Sequence, residues 1–363
     1  MNEPILIKKN TSLTIPVWIE NNMRPLSDAV SSIDNQKIIV LWNDASISKL
    51  LKDEIKTMFP TAEYVTYESC NIPFLGKKIN EADVLYQTLV RGKNNQNLIL
   101  WFVQDEYESL IAANISELKN LSYLLIPVTP VAQITCEYIR TYGDIDAAEV
   151  FPKGIYLDTS VWEKAEVQDF LSGIACAMRK GIQESSSLYE WMISNLYEIL
   201  DKEAGIYDEL MKKSSVLVKN RIEKKTAAER CNPLFGTICE NVFFENCKEL
   251  SFAEIISLSC IAHAHISWKK DILSMEEFYE IRDMFVAFGL GISQTELTAN
   301  DFSFKVMEEN KGLWPGIKHN TENVNENFVY LRKLGSVTFA EAPVDTLLKE
   351  AGEELYFDPT SME

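Results

Sequence analysis

Strand and helix alternate along the first ~160 residues, and this alternation narrows the fold more than any other feature of the chain. Lys37-Ile-Ile-Val-Leu-Trp42 is a run of β-branched and apolar residues of the kind that fills a buried strand. Ile47 to Met58 follows with helical periodicity, and Asp44 and Ser46 stand where its first turn needs a cap. Glu63-Tyr-Val-Thr-Tyr-Glu68 alternates as a strand. Ile79 to Arg91 reads as a helix with Ala82, Leu85, Leu89 and Val90 inward. Leu98-Ile-Leu-Trp-Phe-Val103 and Leu124-Leu-Ile-Pro-Val128 are further apolar strands. Apolar strands separated by helices imply a parallel sheet covered on both faces.

From Val167 the character changes. Long amphipathic helices are expected over roughly 167–183, 187–200, 205–226, 251–270 and 275–288. Asn327-Phe-Val-Tyr-Leu-Arg-Lys-Leu-Gly-Ser-Val-Thr-Phe339 reads as a β-hairpin around Gly335. The expected organisation is an α/β, Rossmann-like domain over 1–162 and an all-α domain over 163–363 with a late hairpin near 327–341.

Composition excludes several classes of partner. The chain has 363 residues and a net charge of -19, a field that repels nucleic acid and anionic membranes. No stretch approaches the ~18 apolar residues of a membrane span, and Met1-Asn-Glu-Pro-Ile-Leu-Ile-Lys-Lys lacks the features of a signal peptide. The seven cysteines are odd in number and form no Cys-x-x-Cys. Reduced thiols in a cytoplasm are the simplest expectation.

Three blocks carry a resemblance. They are Ile126-Pro-Val-Thr-Pro-Val-Ala-Gln133, Pro152-Lys-Gly-Ile-Tyr-Leu-Asp158-Thr and Phe170-Leu-Ser-Gly-Ile-Ala-Cys-Ala-Met-Arg-Lys-Gly181. In order and spacing they resemble the 3-dehydroquinate synthase family. There the same stretches read as a Pro-Thr-Thr-x-x-Ala-Gln loop, a Pro-x-x-x-x-Ile-Asp-Thr strand and a Gly-x-Ala-Glu-x-x-Lys-x-Gly helix. The resemblance covers about 35–350 and implies a dinucleotide-binding α/β domain, a metal-binding helical domain and a cleft between them. It also implies NAD-dependent oxidation of a substrate hydroxyl, phosphate elimination and ring closure, with a divalent metal polarising the hydroxyl.

The residues that this chemistry needs are replaced. Where the family has three glycines after a strand, this chain has Phe102-Val103-Gln104, with Glu108 at the position of a later Asp. After Gln133 the resemblance puts Thr135 and Thr141 in place of an Asp and a Lys. Cys176 stands at the metal-binding Glu. Pro233, in Pro233-Leu-Phe-Gly-Thr237, and Ser251 stand at the metal-binding histidines, while Phe235, Gly236 and Glu240 are kept. A shifted register gives Phe235 and Cys239 instead. The chain's own histidines, His263, His265 and His319, do not fill the gap, since His263 and His265 are two apart on a helix and face different ways. Gln133, Arg179, Lys219 and Lys311 stand where the family has Gln or basic residues and form a possible anion pocket. Asp105, Glu106 and Glu108 cluster after a strand, where an α/β sheet keeps its ligand crevice.

The expectation is therefore a synthase-like fold without NAD or metal, serving as a homodimer or as the partner of a synthase-like paralogue in a carbocycle or natural-product pathway. The alternatives are an NAD- and metal-independent enzyme acting on a sugar phosphate or carboxylate, and a small-molecule sensor.

Overall fold

A computed structural model describes residues 1–8, 13–33, 37–44, 47–67, 96–105, 120–135, 151–224, 234–298 and 325–356, with isolated positions between 108 and 116. The expected helix over Ile79 to Arg91 falls outside these residues, as do Cys70, Glu106, Cys136, Thr141, Cys231, Pro233, Lys311 and His319. Two compact units emerge, one of Met1–Ala165 with Lys202–Cys231, the other of Glu166–Asp201 with Asn232–Glu363.

The first unit is built on a seven-stranded sheet in the order β1-β2-β7-β6-β5-β3-β4. The strands are β1 (Ile5–Lys8), β2 (Thr14–Glu20), β3 (Lys37–Asn43), β4 (Glu63–Tyr67), β5 (Asn97–Val103), β6 (Ser122–Pro127) and β7 (Gly154–Asp158). All pairings are parallel except β1 with β2. The expected parallel sheet is present, widened by the antiparallel edge β1–β2, which the opening residues did not announce. Every residue of β5 and of β7 is buried. Covering both sheet faces is what forces such continuous apolar runs, and each large side chain so buried stabilises by about 1.5–3 kcal/mol. One core cluster joins Trp18, Leu26, Val40, Trp42, Phe102, Leu124 and Tyr156.

The helices of this unit are α1 (Leu26–Ser31), α2 (Lys49–Met58), α3 (Pro130–Thr135), α4 (Ser160–Lys164) and α8 (Ile206–Lys224). The cap of α2 is Ser48, whose side chain accepts from Leu51 N–H, rather than the expected Asp44 or Ser46. α8 was expected to join the other helices, yet it packs on β1 and β2. Lys8 N–H donates to Glu223 at 2.8 Å, Thr159 Oγ1 meets Asp208, and Trp162 stacks on Tyr207 at 5.2 Å.

The second unit contains α5 (Val167–Glu184), α6 (Ser186–Ser194), α7 (Leu196–Leu200), α9 (Thr237–Asn246), α10 (Phe252–Lys269), α11 (Met275–Ala287) and α12 (Val344–Leu355). The expected helix 187–200 is two helices meeting at Asn195. α10 is buried along nearly its whole length, and α5, α9, α11 and α12 pack around it. The hairpin pairs β8 (Asn325–Lys333) with β9 (Ser336–Pro343) around Gly335. At φ +77 Gly335 tolerates no Cβ, which would stand 2.4 Å from Ser186 N.

Candidate functional site

In an open parallel sheet, ligands bind beyond the carboxyl ends of the strands, where successive connections run in opposite directions. Here that point lies between β3 and β5: the chain leaves β3 for β4 on one side and then returns to β5 on the other. Asn43 ends β3, and Gln104 is the first residue beyond β5.

The strand end beneath this position is packed into the core. Phe102 and Val103 are 1% and 0% exposed, and Phe102 stands edge-on to Trp42 at 5.9 Å. Just beyond, the buried Glu108 turns its carboxylate back to the strand end. It accepts Gln104 N–H at 2.8 Å, Gln104 Nε2 at 3.3 Å and Asn43 Nδ2 at 3.4 Å. Glu108 N–H in turn donates to Asp105 Oδ1 at 2.7 Å. The acidic cluster marked in the sequence is thus a knot of hydrogen bonds between Asn43, Gln104, Asp105 and Glu108. Asn43 is the member that no sequence motif pointed to; only the strand order brings it beside Glu108.

Gln133 serves as a joint. Its Nε2 donates to Asp158 O at 2.7 Å and Pro127 O at 3.4 Å, while its Oε1 accepts Trp162 Nε1–H at 2.9 Å. The buried amide thus ties α3 to the ends of β6 and β7 and to α4. Burial raises the pKa of Asp158, opposed by its hydrogen bonds with Ser160. Lys219, half-buried on α8, makes no hydrogen bond or ion pair among the described residues.

In the helical unit, Arg179 Nη1 and Glu240 Oε2 form an ion pair at 2.6 Å with both side chains over nine-tenths buried. Cys176, Cys239 and Cys260 are buried on α5, α9 and α10 and form no disulfide among the described residues. Burial pushes Cys239 and Cys260 well above an ordinary thiol, which disfavours the thiolate needed for attack or metal ligation. Ser251 caps α10: its hydroxyl accepts Glu254 N–H while Glu254 accepts Ser251 N–H at 2.8 Å, a reciprocal capping box. His263 is fully buried, stacked on Phe328 at 4.2 Å, with Nδ1 3.1 Å from Val329 O. Burial lowers its pKa to about 4. That carbonyl accepts only, so the Nδ1 proton sits in this bond and His263 is neutral. Among the described residues no three His, Cys, Asp or Glu side chains gather as a metal-ion cage.

A scan of protein families finds no match. In sequence, the 3-dehydroquinate synthase of Thermoanaerobacter pseudethanolicus is 21% identical over 243 residues, spanning 64% of this chain and 66% of the relative, just under two thirds of its length. That of Acetivibrio thermocellus is 20% identical over 304 residues, spanning 78% and 84%. In structure, a 2-deoxy-scyllo-inosose synthase solved with carbaglucose-6-phosphate, NAD+ and Co2+ superposes with a TM-score of 0.72 at 14% identity, over 97% of this chain and 100% of that one. The chain is dehydroquinate synthase-like. The 2-epi-5-epi-valiolone synthase of Streptomyces hygroscopicus subsp. jinggangensis 5008, solved with NAD+ and Zn2+, gives a TM-score of 0.73 at 10% identity, over 95% and 97%. This dehydroquinate synthase-like fold, an α/β unit and a helical unit, is the one the three sequence blocks implied. At such identity the likeness fixes the fold and leaves the chemistry to the residues.

Proposed function

We propose that this dehydroquinate synthase-like chain carries no NAD- or metal-dependent chemistry and acts as a partner or regulatory subunit, within a carbocycle or natural-product pathway. The observation that carries the reading is the Glu108 carboxylate on Gln104 N–H, above the packed Phe102 and Val103. A dinucleotide-binding turn needs bare backbone that offers its N–H groups to a pyrophosphate. Here the N–H is already taken by the Glu108 carboxyl group. The residues present do not fit the dinucleotide.

They fit a catalytic metal no better. A zinc-type site needs three protein ligands around an open position. Cys176 offers a thiol enclosed in the core, Ser251 is engaged as a helix cap, and Arg179 holds Glu240. The rebuilt enzyme is weaker for a related reason: Gln133 and Arg179, two of its proposed anion ligands, are committed to internal partners.

The test is titration calorimetry of the purified chain with NAD and separately with Zn2+ and Co2+, followed by native mass spectrometry of protein taken from its own host. The expected result is no saturable NAD binding, no stoichiometric metal, and a homodimer or a complex with a second synthase-like chain. NAD bound at one per chain, or a retained transition metal, would sink the proposal.

A further inference from the structure

The outer face of α11 carries two parallel rows of side chains. Met275, Tyr279 and Val286 are 53%, 43% and 50% exposed. At 3.6 residues per turn they fall within about 40° of arc and extend along about 17 Å of helix. Beside them Glu276, Glu280 and Asp283, all exposed, occupy the next band, about 60° wide. Phe278, Ile281, Met284 and Phe285 form the buried side.

The apolar row rests on a fixed base. The Tyr279 ring lies 5.1 Å from Phe278 and 6.1 Å from Trp268, Trp268 stacks on Phe278 at 5.1 Å, and His265 stands edge-on to both. Aromatic anchors already held in place lose little freedom on binding, a property of side chains that dominate interfaces. The acidic row, in contrast, is uncompensated. Among the described residues no ion pair reaches Glu276, Glu280 or Asp283, whereas Arg282, on the other flank, is paired with Glu354 at 3.8 Å. Glu280 has its carboxyl held above its ordinary pKa, first by partial burial and then by Glu277 and Glu190. Negative charge is therefore concentrated along one side of an apolar strip.

We infer that this face of α11 docks an amphipathic helix of a basic partner, its apolar row on Met275, Tyr279 and Val286 and its lysines or arginines along Glu276, Glu280 and Asp283. Charge complementarity selects this occupant. An antiparallel second copy related by a twofold axis would set acidic row against acidic row, on a chain that already carries -19. The inference rests on the partner-subunit reading and names its surface and the chemistry of the partner; its residues take no part in the NAD or metal question, so the two can fail separately.

The probe is a synthetic helical peptide with leucines in one row and lysines in the adjoining row. It is titrated by fluorescence anisotropy against the full chain, beside a peptide with glutamate for lysine and a scrambled peptide of the same composition. The lysine peptide is expected to bind, and the other two at least about tenfold more weakly, since both the charge and the row pattern carry the affinity. Raising salt from 0.02 to 0.3 M should weaken binding about fivefold or more. Tyr279→Ala and Val286→Ser, both at exposed positions, should each weaken it several-fold. Glu280→Lys with Asp283→Lys should reverse the preference toward the glutamate peptide. Leu50→Ala, at an exposed apolar position outside this face, serves as the control and should change nothing. Equal binding of the ordered and scrambled peptides, indifference to the charge reversal, or self-association abolished by Tyr279→Lys would each overturn the inference.

Discussion

Arg179 and Glu240 show how a side chain that the resemblance offers to a ligand can be held by a partner inside the fold. The sequence offers Arg179 as an anion ligand, while the fold gives it a carboxylate at 2.6 Å in a buried setting. Removing one member strands the other charge. Arg179→Met is therefore expected to lower stability by about 3–5 kcal/mol, read as a drop in urea midpoint, whereas Arg179→Met with Glu240→Leu should recover most of the loss. Additive losses in the double variant would mean the two are not coupled. His263 makes a second residue-scale prediction. Its folded pKa, about 4, lies below the ordinary value of 6.5, so the unfolded chain takes up the proton first. The contribution of neutral His263 is present above pH 6.5 and is lost as pH falls toward 4, by about 3 kcal/mol in all. His265 is lowered by burial to about 4 as well, so His263→Phe should reduce, and only a second change at His265 remove, the fall in unfolding free energy across that window, measured by urea titration at pH 7.5, 6 and 5.

At the scale of elements, turns and caps carry information that helical periodicity does not. Gly335 closes the β8–β9 hairpin at φ +77 and donates its N–H to Ile182 O at 2.8 Å. Gly205 has a similar φ of +82 with nothing within 4 Å of a built Cβ. Alanine at Gly205 meets backbone strain alone, about 1 kcal/mol, whereas alanine at Gly335 also drives a Cβ into the backbone of Ser186 and is expected to cost about 2–3 kcal/mol or more. Thermal unfolding of the two variants checks the order. Equal losses would show that the hairpin shifts to admit the methyl group. Ser251 argues the same point differently: a position that the resemblance assigns to a metal ligand is the cap of the buried helix α10, because a helix start needs an acceptor for its free N–H groups.

At the scale of the molecule, the first unit closes only when the chain returns to it. α8 lies beyond residue 201 yet covers β1 and β2. A fragment of residues 1–165 would leave that surface bare and the Glu223, Asp208 and Tyr207 contacts unmade. We predict that 1–165 is insoluble or lacks a cooperative thermal transition, and that joining 202–231 to it by a flexible linker restores one, followed by circular dichroism. A cooperative transition in 1–165 alone would show that α8 is dispensable.

Strands β3 to β6, the hairpin and all the expected long helices except 187–200 are legible in the sequence, because period-2 and period-3.6 burial and glycine punctuation are local signals. Through its three blocks it also determined the family likeness. It did not determine β1 and β2: β2 joins the sheet only by pairing with β7, and β1 forms the edge by pairing with β2. Nor did it determine the allegiance of α8, since an amphipathic face does not name the surface that it covers. The site divides in the same way. Phe102-Val103-Gln104 and Cys176 are written in the chain, and the resemblance reads them at positions of glycines and of a metal-ligand Glu. Folding alone turns Glu108 back to Gln104, brings Asn43 to it, and gives Gln133 and Arg179 their internal partners. Those contacts join residues far apart in sequence, and strand order and helix packing alone bring them within hydrogen-bonding distance.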